Sequence, residues 1–280
     1  MTKQQIAGNS CDACKDGVHA PFPFSMAFQP IVDVDANRVF AYEALVRGPH
    51  NEPAGTILSR VNPENRYAFD QHCRVTAITL AARLGLAEAG GRLSINFMPG
   101  AVYSPAACIQ LTLKTARHVN FPSNRLIFEI TEDEQVADPA HLRSIVEDYR
   151  RRGFQVALDD FGKGFSGLNL LADFPTDLIK LDMDLIRDLD RRPAALAIVQ
   201  SMVALAKTLG SEIIAEGVET PGEYAALRHC GVRLMQGYLL ARPAFESLPA
   251  FTLPAPGSDN TLLARPPRRP VSAPTILNNL

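Results

Sequence analysis

Short apolar runs recur along this chain. Each closes on a polar or charged residue, and most are followed by a stretch with helical spacing. The runs are Arg92-Leu93-Ser94-Ile95-Asn96, Leu126-Ile127-Phe128-Glu129, Val156-Ala157-Leu158-Asp159-Asp160, Leu178-Ile179-Lys180 and Ile213-Ile214-Ala215-Glu216, with a shorter one at Leu234-Met235-Gln236. Runs this short and this rich in Ile, Val, Leu and Phe predict strands buried on both faces. Between them, helices are predicted from about Arg66 to Leu84, Pro139 to Arg151 and Pro193 to Thr208. In the last of these, Leu196, Val199, Met202, Val203 and Ala206 recur at the spacing of one helical face. Gly153 and Gly210 stand where helix C-caps belong, since glycine accepts the left-handed conformation that ends a helix.

Strand and helix alternating this often predict a parallel α/β sheet. An open, doubly wound sheet gathers its chemistry at the crevice where strand order reverses. Here nearly every strand end is polar, and only a closed ring brings six or more strand ends to one centre. The predicted fold is therefore a TIM-like (β/α)8 barrel. Its first two runs, Met26 to Asp33 and Arg38 to Arg47, are joined by a short Asp-Ala-Asn turn. That junction predicts an antiparallel hairpin at the start.

Composition divides the chain into three. Residues 1–22 form a short polar segment with a C-x-x-C pair, Cys11 and Cys14; residues 23–248 form the barrel; residues 249–280 form a Pro-rich tail, expected to be disordered, with a basic step at Arg265, Arg268 and Arg269. Hydrophobic residues make up 46% of the 280, which suffices for a core and excludes wholesale disorder. The 28 Lys and Arg nearly balance 30 Asp and Glu, for a net charge of -2. No field of one sign results, so DNA, RNA and anionic membrane surfaces are not expected partners. No apolar run approaches the ~18 residues of a membrane span. The start, MTKQQIAGNS, lacks the apolar core of a secretory signal, and five scattered cysteines do not make a disulfide framework. A cytoplasmic location is expected.

The candidate chemistry lies at the strand ends: Glu43, Asn96, Glu129, Asp159, Asp160, Lys180, Glu216 and Gln236, with Glu132 and Glu219 each three residues beyond a strand-end Glu. In a barrel these carboxylates converge, and carboxylates held close together repel unless protonated or bridged by cations. Oxygen donors with one Asn carbonyl favour hard ions such as Mg²⁺ or Mn²⁺ over zinc. Adjacent Asp159 and Asp160 can serve two metals together, an arrangement suited to displacement at phosphorus. Any one of these residues alone would be read as a helix cap or a solvated loop side chain; the set is what points to a site.

The segment Tyr42-Glu43-Ala44-Leu45-Val46-Arg47-Gly48 is accompanied, in order, by other motifs. They are Phe28-Gln29-Pro30-Ile31, the strand ending in Asn96, Phe128-Glu129-Ile130-Thr131-Glu132, Asp159-Asp160-Phe161-Gly162, Lys180-Leu181-Asp182, Ala215-Glu216-Gly217-Val218-Glu219-Thr220 and Gln236-Gly237-Tyr238. Together they resemble the EAL-domain family of cyclic di-GMP phosphodiesterases from about residue 24 to 247. The resemblance implies a TIM-like barrel whose first strand runs antiparallel to the others. It implies hydrolysis of one phosphodiester bond of cyclic di-GMP to linear pGpG. Two divalent cations, Mg²⁺ or Mn²⁺, are implied: Glu43, Asn96, Glu129 and Asp159 match the ligands of one, and Asp159, Asp160 and Glu216 those of the other, with Asp159 bridging. Lys180 matches the lysine near the attacking water and the phosphate. Gln29, Leu45 and Arg47 match substrate-contacting positions. Glu219 and Gln236 match groups standing behind the metals and water, and Glu132 matches the glutamate that steadies the loop after Asp160. A homodimer and a role in motility and biofilm control also belong to the resemblance.

One departure stands out. Lys163 occupies a loop position where the family usually carries a small or hydroxyl residue; it removes no ligand. No sensory domain is expected in the length outside the barrel, so regulation is expected from a partner protein, oligomerisation or the short ends. Cys11 and Cys14, with His19 downstream and Cys73 beside His72, supply only half of a zinc site by themselves and read as reduced thiols. Cys108 and Cys230 read as core filler in helical stretches. Two rival readings are a non-catalytic cyclic di-GMP receptor or interaction module, and a barrel hydrolase for another phosphodiester. The complete ligand set with Lys180 favours the enzyme.

Overall fold

Residues 20–102, 104–131, 139–164 and 167–255 are described by a computed structural model. Eight strands close into a barrel. β1 (Ser25–Asp33) and β2 (Arg38–Arg47) form the expected antiparallel hairpin, with Gln29 opposite Glu43. From β2 onward, β3 (Arg92–Asn96), β4 (Leu126–Thr131), β5 (Gln155–Phe161), β6 (Leu178–Leu181), β7 (Glu212–Ala215) and β8 (Leu234–Met235) pair in parallel, each with its sequence neighbour. β8 pairs antiparallel with β1 through Val32 and Asp33, which shuts the ring. A two-residue β9 (Ala244–Phe245) adds to β1 beside it. The barrel with a reversed first strand is thus the architecture that the alternation of strand and helix predicts.

The longer helices are α1 (Arg66–Arg83), α2 (Gln110–His118), α3 (Pro139–Arg151), α4 (Gly167–Asp173), α5 (Pro193–Leu209) and α6 (Pro221–His229). Gly210, at φ +75, ends α5 in the left-handed conformation. A capping box starts α6: Thr220 Oγ1 accepts from Glu223 N, and the Glu223 carboxylate accepts from Thr220 N.

Side chains two apart on a strand share a face. On seven of the eight strands, an apolar residue stands two positions from a polar residue of the mouth and points the same way. These residues, Ile31, Ala41, Ile127, Ala157, Leu178, Ile214 and Leu234, pack with Phe40 into an apolar plug inside the barrel. The alternate residues, such as Phe128, Ile130, Val156 and Leu158, belong to the main core outside it. The polar ends therefore stand one layer above the plug, at the mouth. A buried ion pair is sunk in the outer core: Arg74 of α1 lies 2.6 Å from Asp70 and donates to Tyr149 Oη at 2.8 Å. Asp70 in turn accepts from Met98 N at 2.9 Å, which fixes the backbone just beyond Asn96.

Packing continues past residue 248, where the barrel was expected to end. Tyr42 Oη donates to the Pro249 carbonyl at 2.8 Å, Thr252 N donates to the Leu240 carbonyl at 3.0 Å, and Phe251 and Leu253 lie against the core. Cys11, Cys14, His19, Glu132 and residues 256–280 lie outside the described residues. Cys73 and Cys108 are buried and Cys230 half-buried, all as free thiols. Among the described residues no helix is long and apolar enough to cross a membrane.

Two loops meet at the mouth through glycine. Val218 N donates to the Gln236 carbonyl at 3.1 Å, and Leu239 N donates to the Val218 carbonyl at 3.0 Å. A Cβ on Gly237 would lie 2.1 Å from the Val218 oxygen and 2.3 Å from its nitrogen. Because backbone atoms block it, the clash cannot be relieved by a rotamer change. Gly237→Ala is expected to cost at least about 2 kcal/mol, lowering Tm by roughly 4 °C or more, as read by urea denaturation and thermal melting.

Candidate functional site

Every strand from β2 to β6 delivers a polar side chain to the barrel mouth, and β7 and β8 deliver Glu216 and Gln236 just past their ends. Glu43 and Glu129 are almost wholly buried, and Asp159 nearly so. β5 ends in a register shift between Leu158 and Phe161, with Asp160 at φ +55. In regular strand, Asp159 and Asp160 would face opposite sides; the irregularity aims both carboxylates at the same site. Two groups result. Single carboxylate oxygens of Glu43, Glu129 and Asp159 lie within 4.8 Å of one another, and so do those of Asp159, Asp160 and Glu216. Asp159 belongs to both.

Lys180 stands at the centre of this ring. Its side chain is 1% exposed, and Nζ lies 2.7 Å from Glu216, 2.9 Å from both Glu129 and Asp159, and 3.6 Å from Glu43. Burial alone would lower its pKa, but Asp159, Glu129, Glu216 and Glu43 together hold it well above the usual lysine range. One ammonium cannot balance five carboxylates, so the bare ring favours bound protons. Burial and the neighbouring Glu43 push Glu129 far up. Burial and the charges of Asp159 and Glu43 raise Glu216 to about 8 against the pull of Lys180. Burial and Asp159 raise Asp160 to about 6. Metal binding would have to displace these protons.

Amide groups finish the ring. Asn96 Nδ2 donates to Glu43 and to Glu129, each at 3.1 Å. Turned over, the same amide would present its oxygen between them. Gln236 Nε2 donates to Glu43 at 2.8 Å and to Gln29 Oε1 at 3.4 Å, while its buried Oε1 has no hydrogen-bond partner. An all-oxygen donor set with an orphaned acceptor beside it fits hard divalent cations and an associated water.

Two cavities of about 610 and 380 Å³ open over the ring and share Leu45, Asp159 and Asp160. The smaller holds Gln29, Glu43, Lys180, Glu216 and Gln236; the larger is lined by Arg47, Asn96, Asp70 and apolar side chains such as Phe69 and Met98. Arg47 Nη1 donates to the Val46 carbonyl at 2.7 Å at the wall of the larger one. Glu219 lines the smaller cavity but does not join the ring. It is an exposed residue, and its carboxylate accepts from Arg187 at 2.8 Å, which lowers its pKa. Glu132 lies outside the described residues.

Several contributors were not singled out in the sequence. Ser94 Oγ donates to Glu129 at 2.6 Å; its signal was its place two residues before Asn96. Asp70 supports the Asn96 loop through Met98 N and lines the larger cavity; its signal was an Asp70–Arg74 pair four apart in α1. Glu223, fully buried, accepts from Glu219 N and Asp188 N and so ties down the loop after Glu216. Nothing local to Glu223 marks it out beyond the capping box.

The model of the EAL domain matches residues 22–243. Cyclic di-GMP phosphodiesterase RocR from Pseudomonas aeruginosa is 32% identical over 234 residues, covering 80% of this chain and 58% of its own length. A standalone EAL protein from Vibrio cholerae O395, solved in its c-di-GMP-bound form, is 51% identical with a TM-score of 0.80, and the match covers 83% of this chain and 97% of that one. BlrP1 from Klebsiella pneumoniae, solved as a manganese/cy-diGMP complex at pH 9.0, is 34% identical with a TM-score of 0.76, covering 82% of this chain and 58% of that one. The chain spans little more than half the length of the curated relatives it matches first, at 56% and 58%.

Removing the ammonium from the ring should expose its repulsion. Lys180→Met is expected to lose about 3–5 kcal/mol of stability in chelator, the usual cost of breaking a buried ion pair. Most of that loss should return in saturating Mn²⁺. Urea denaturation with and without the metal checks both halves, and equal stability of the variant in the two conditions would contradict the expectation.

Proposed function

The chain belongs to the EAL domain family, and from that premise we propose that it is a metal-dependent phosphodiesterase hydrolysing one phosphodiester bond of cyclic di-GMP to linear pGpG. The observation that carries the reading is the pair of carboxylate triads joined at Asp159. Glu43, Asn96, Glu129 and Asp159 would hold one divalent cation, and Asp159, Asp160 and Glu216 a second, Mg²⁺ or Mn²⁺ in each case. Divalent ions held there would supply a lowered pKa for a bound water and polarisation of the phosphoryl oxygens.

The chain's own groups do the rest. Lys180, central to the ring, would offer its ammonium to the negative charge that develops on the phosphate. Gln236 orients Glu43 through Nε2 and keeps Oε1 available for a water. Gln29, Leu45 and Arg47 line the paired cavities that receive the dinucleotide, and the planar fork of Arg47 suits a phosphate. Glu219 and Glu132 act by steadying water and loop rather than by binding metal. The same reading includes a cytoplasmic homodimer under the control of a partner protein, in a pathway governing motility and biofilm formation. A pure cyclic di-GMP receptor on this scaffold would have no use for a lysine centred on a complete oxygen-donor ring, which favours turnover over binding alone.

Incubating the purified chain with cyclic di-GMP and Mg²⁺ or Mn²⁺, and following pGpG by chromatography, tests the activity. Saturable binding without product under either metal would sink it. Asp159→Asn should reduce kcat by on the order of 10³-fold or more, since one side chain serves both ions. A near-normal rate in that variant would refute the shared ligand.

A further inference from the structure

Lys180 reaches four of the five clustered carboxylates, Glu43, Glu129, Asp159 and Glu216. The fifth, Asp160, has a different cation. Lys163 Nζ lies 3.7 Å from Asp160 Oδ2, and both residues line the smaller cavity. The backbone arranges this contact. Lys163 N donates to the Asp160 carbonyl at 3.2 Å, closing a four-residue turn, and Gly162 at its third position has φ +101, a left-handed value that glycine adopts without strain. The turn folds residue 163 back over residue 160. Unlike Lys180, the Lys163 side chain is 51% exposed and sits on a long flexible stem.

We propose that Lys163 is an exchangeable counter-ion for the second cation site, pairing with Asp160 in the bare ring and competing with the divalent ion for that carboxylate. The inference rests on the two-ion reading above and deepens it. A dication at Asp159, Asp160 and Glu216 meets an ammonium a few ångströms away, so the ammonium must swing out before the ion is fully held. Among the described residues the ion pairs of the first site are with Lys180 alone, whose ammonium is shared by both groups. The two sites should therefore fill unequally. The second site is the weaker one, and this chain needs more free metal to fill it than it would with a small residue at position 163.

Mn²⁺ binding to the full chain without nucleotide, followed by calorimetry and by the electron paramagnetic resonance signal of free Mn²⁺, reads this directly. Wild type should show two steps, the weaker one abolished by Asp160→Asn. Lys163→Ala should tighten the weaker step roughly three- to tenfold, the scale of one screened charge near a dication, and leave the tighter step within about twofold. Lys163→Arg should behave as wild type. Unchanged constants in Lys163→Ala, or a weaker second step, would overturn the proposal while leaving the two-ion reading intact. A wild-type protein that binds a single ion would overturn both.

Discussion

Mutual repulsion among carboxylates confined to one barrel mouth is the constraint to which the rest of the molecule answers. Five acidic side chains sit where water cannot screen them well, and the low dielectric magnifies each conflict. Lys180 answers four of them from the centre, Asn96 and Gln236 supply neutral donors between them, and raised pKa values at Glu129, Glu216 and Asp160 register the part left unanswered. A ring of this kind is stable only if its walls are stiff. The hairpin, the apolar plug and the loop contact at Gly237 provide that stiffness on three sides.

The strand-end residues could be read from the chain because a strand advertises its inward face by period-two alternation. Ile127 and Glu129, Ala157 and Asp159, Leu178 and Lys180 are each two apart, so a polar residue closing an apolar run marks both the strand and the mouth. The reversed first strand was legible too, because a short Asp-Ala-Asn turn cannot house a crossover. The bounds of the three helices read from the sequence fell within a residue of expectation because apolar spacing and a terminal glycine define them locally, while α2, α4 and α6 were not read.

What stayed hidden depends on contacts between distant segments. Arg74 looks like an ordinary surface arginine in sequence, yet it is buried against Asp70 and Tyr149, the latter on another helix. Glu219 matches a family position beside the metals, but Arg187 holds its carboxylate at the rim, and nothing near either residue announces the pairing. Residues 249–255 read as the start of a tail because of their prolines. A proline carbonyl still accepts hydrogen bonds, and Tyr42 uses one.

The apolar plug beneath the ring also sets which of its carboxylates meet solvent. Ile31, Phe40, Ala41, Ile127, Ala157, Leu178, Ile214 and Leu234 pack across the floor of the barrel, with the buried Ser94 of β3 as a polar member of the same layer. Glu129, with a fully buried side chain, lies deepest, while Glu216 and Asp160, at 18% and 29% exposure, stand nearer the entrance. Asn96, an exposed residue on the wall of the larger cavity, bonds both Glu43 and Glu129, so even the deepest carboxylates lie one side chain away from solvent.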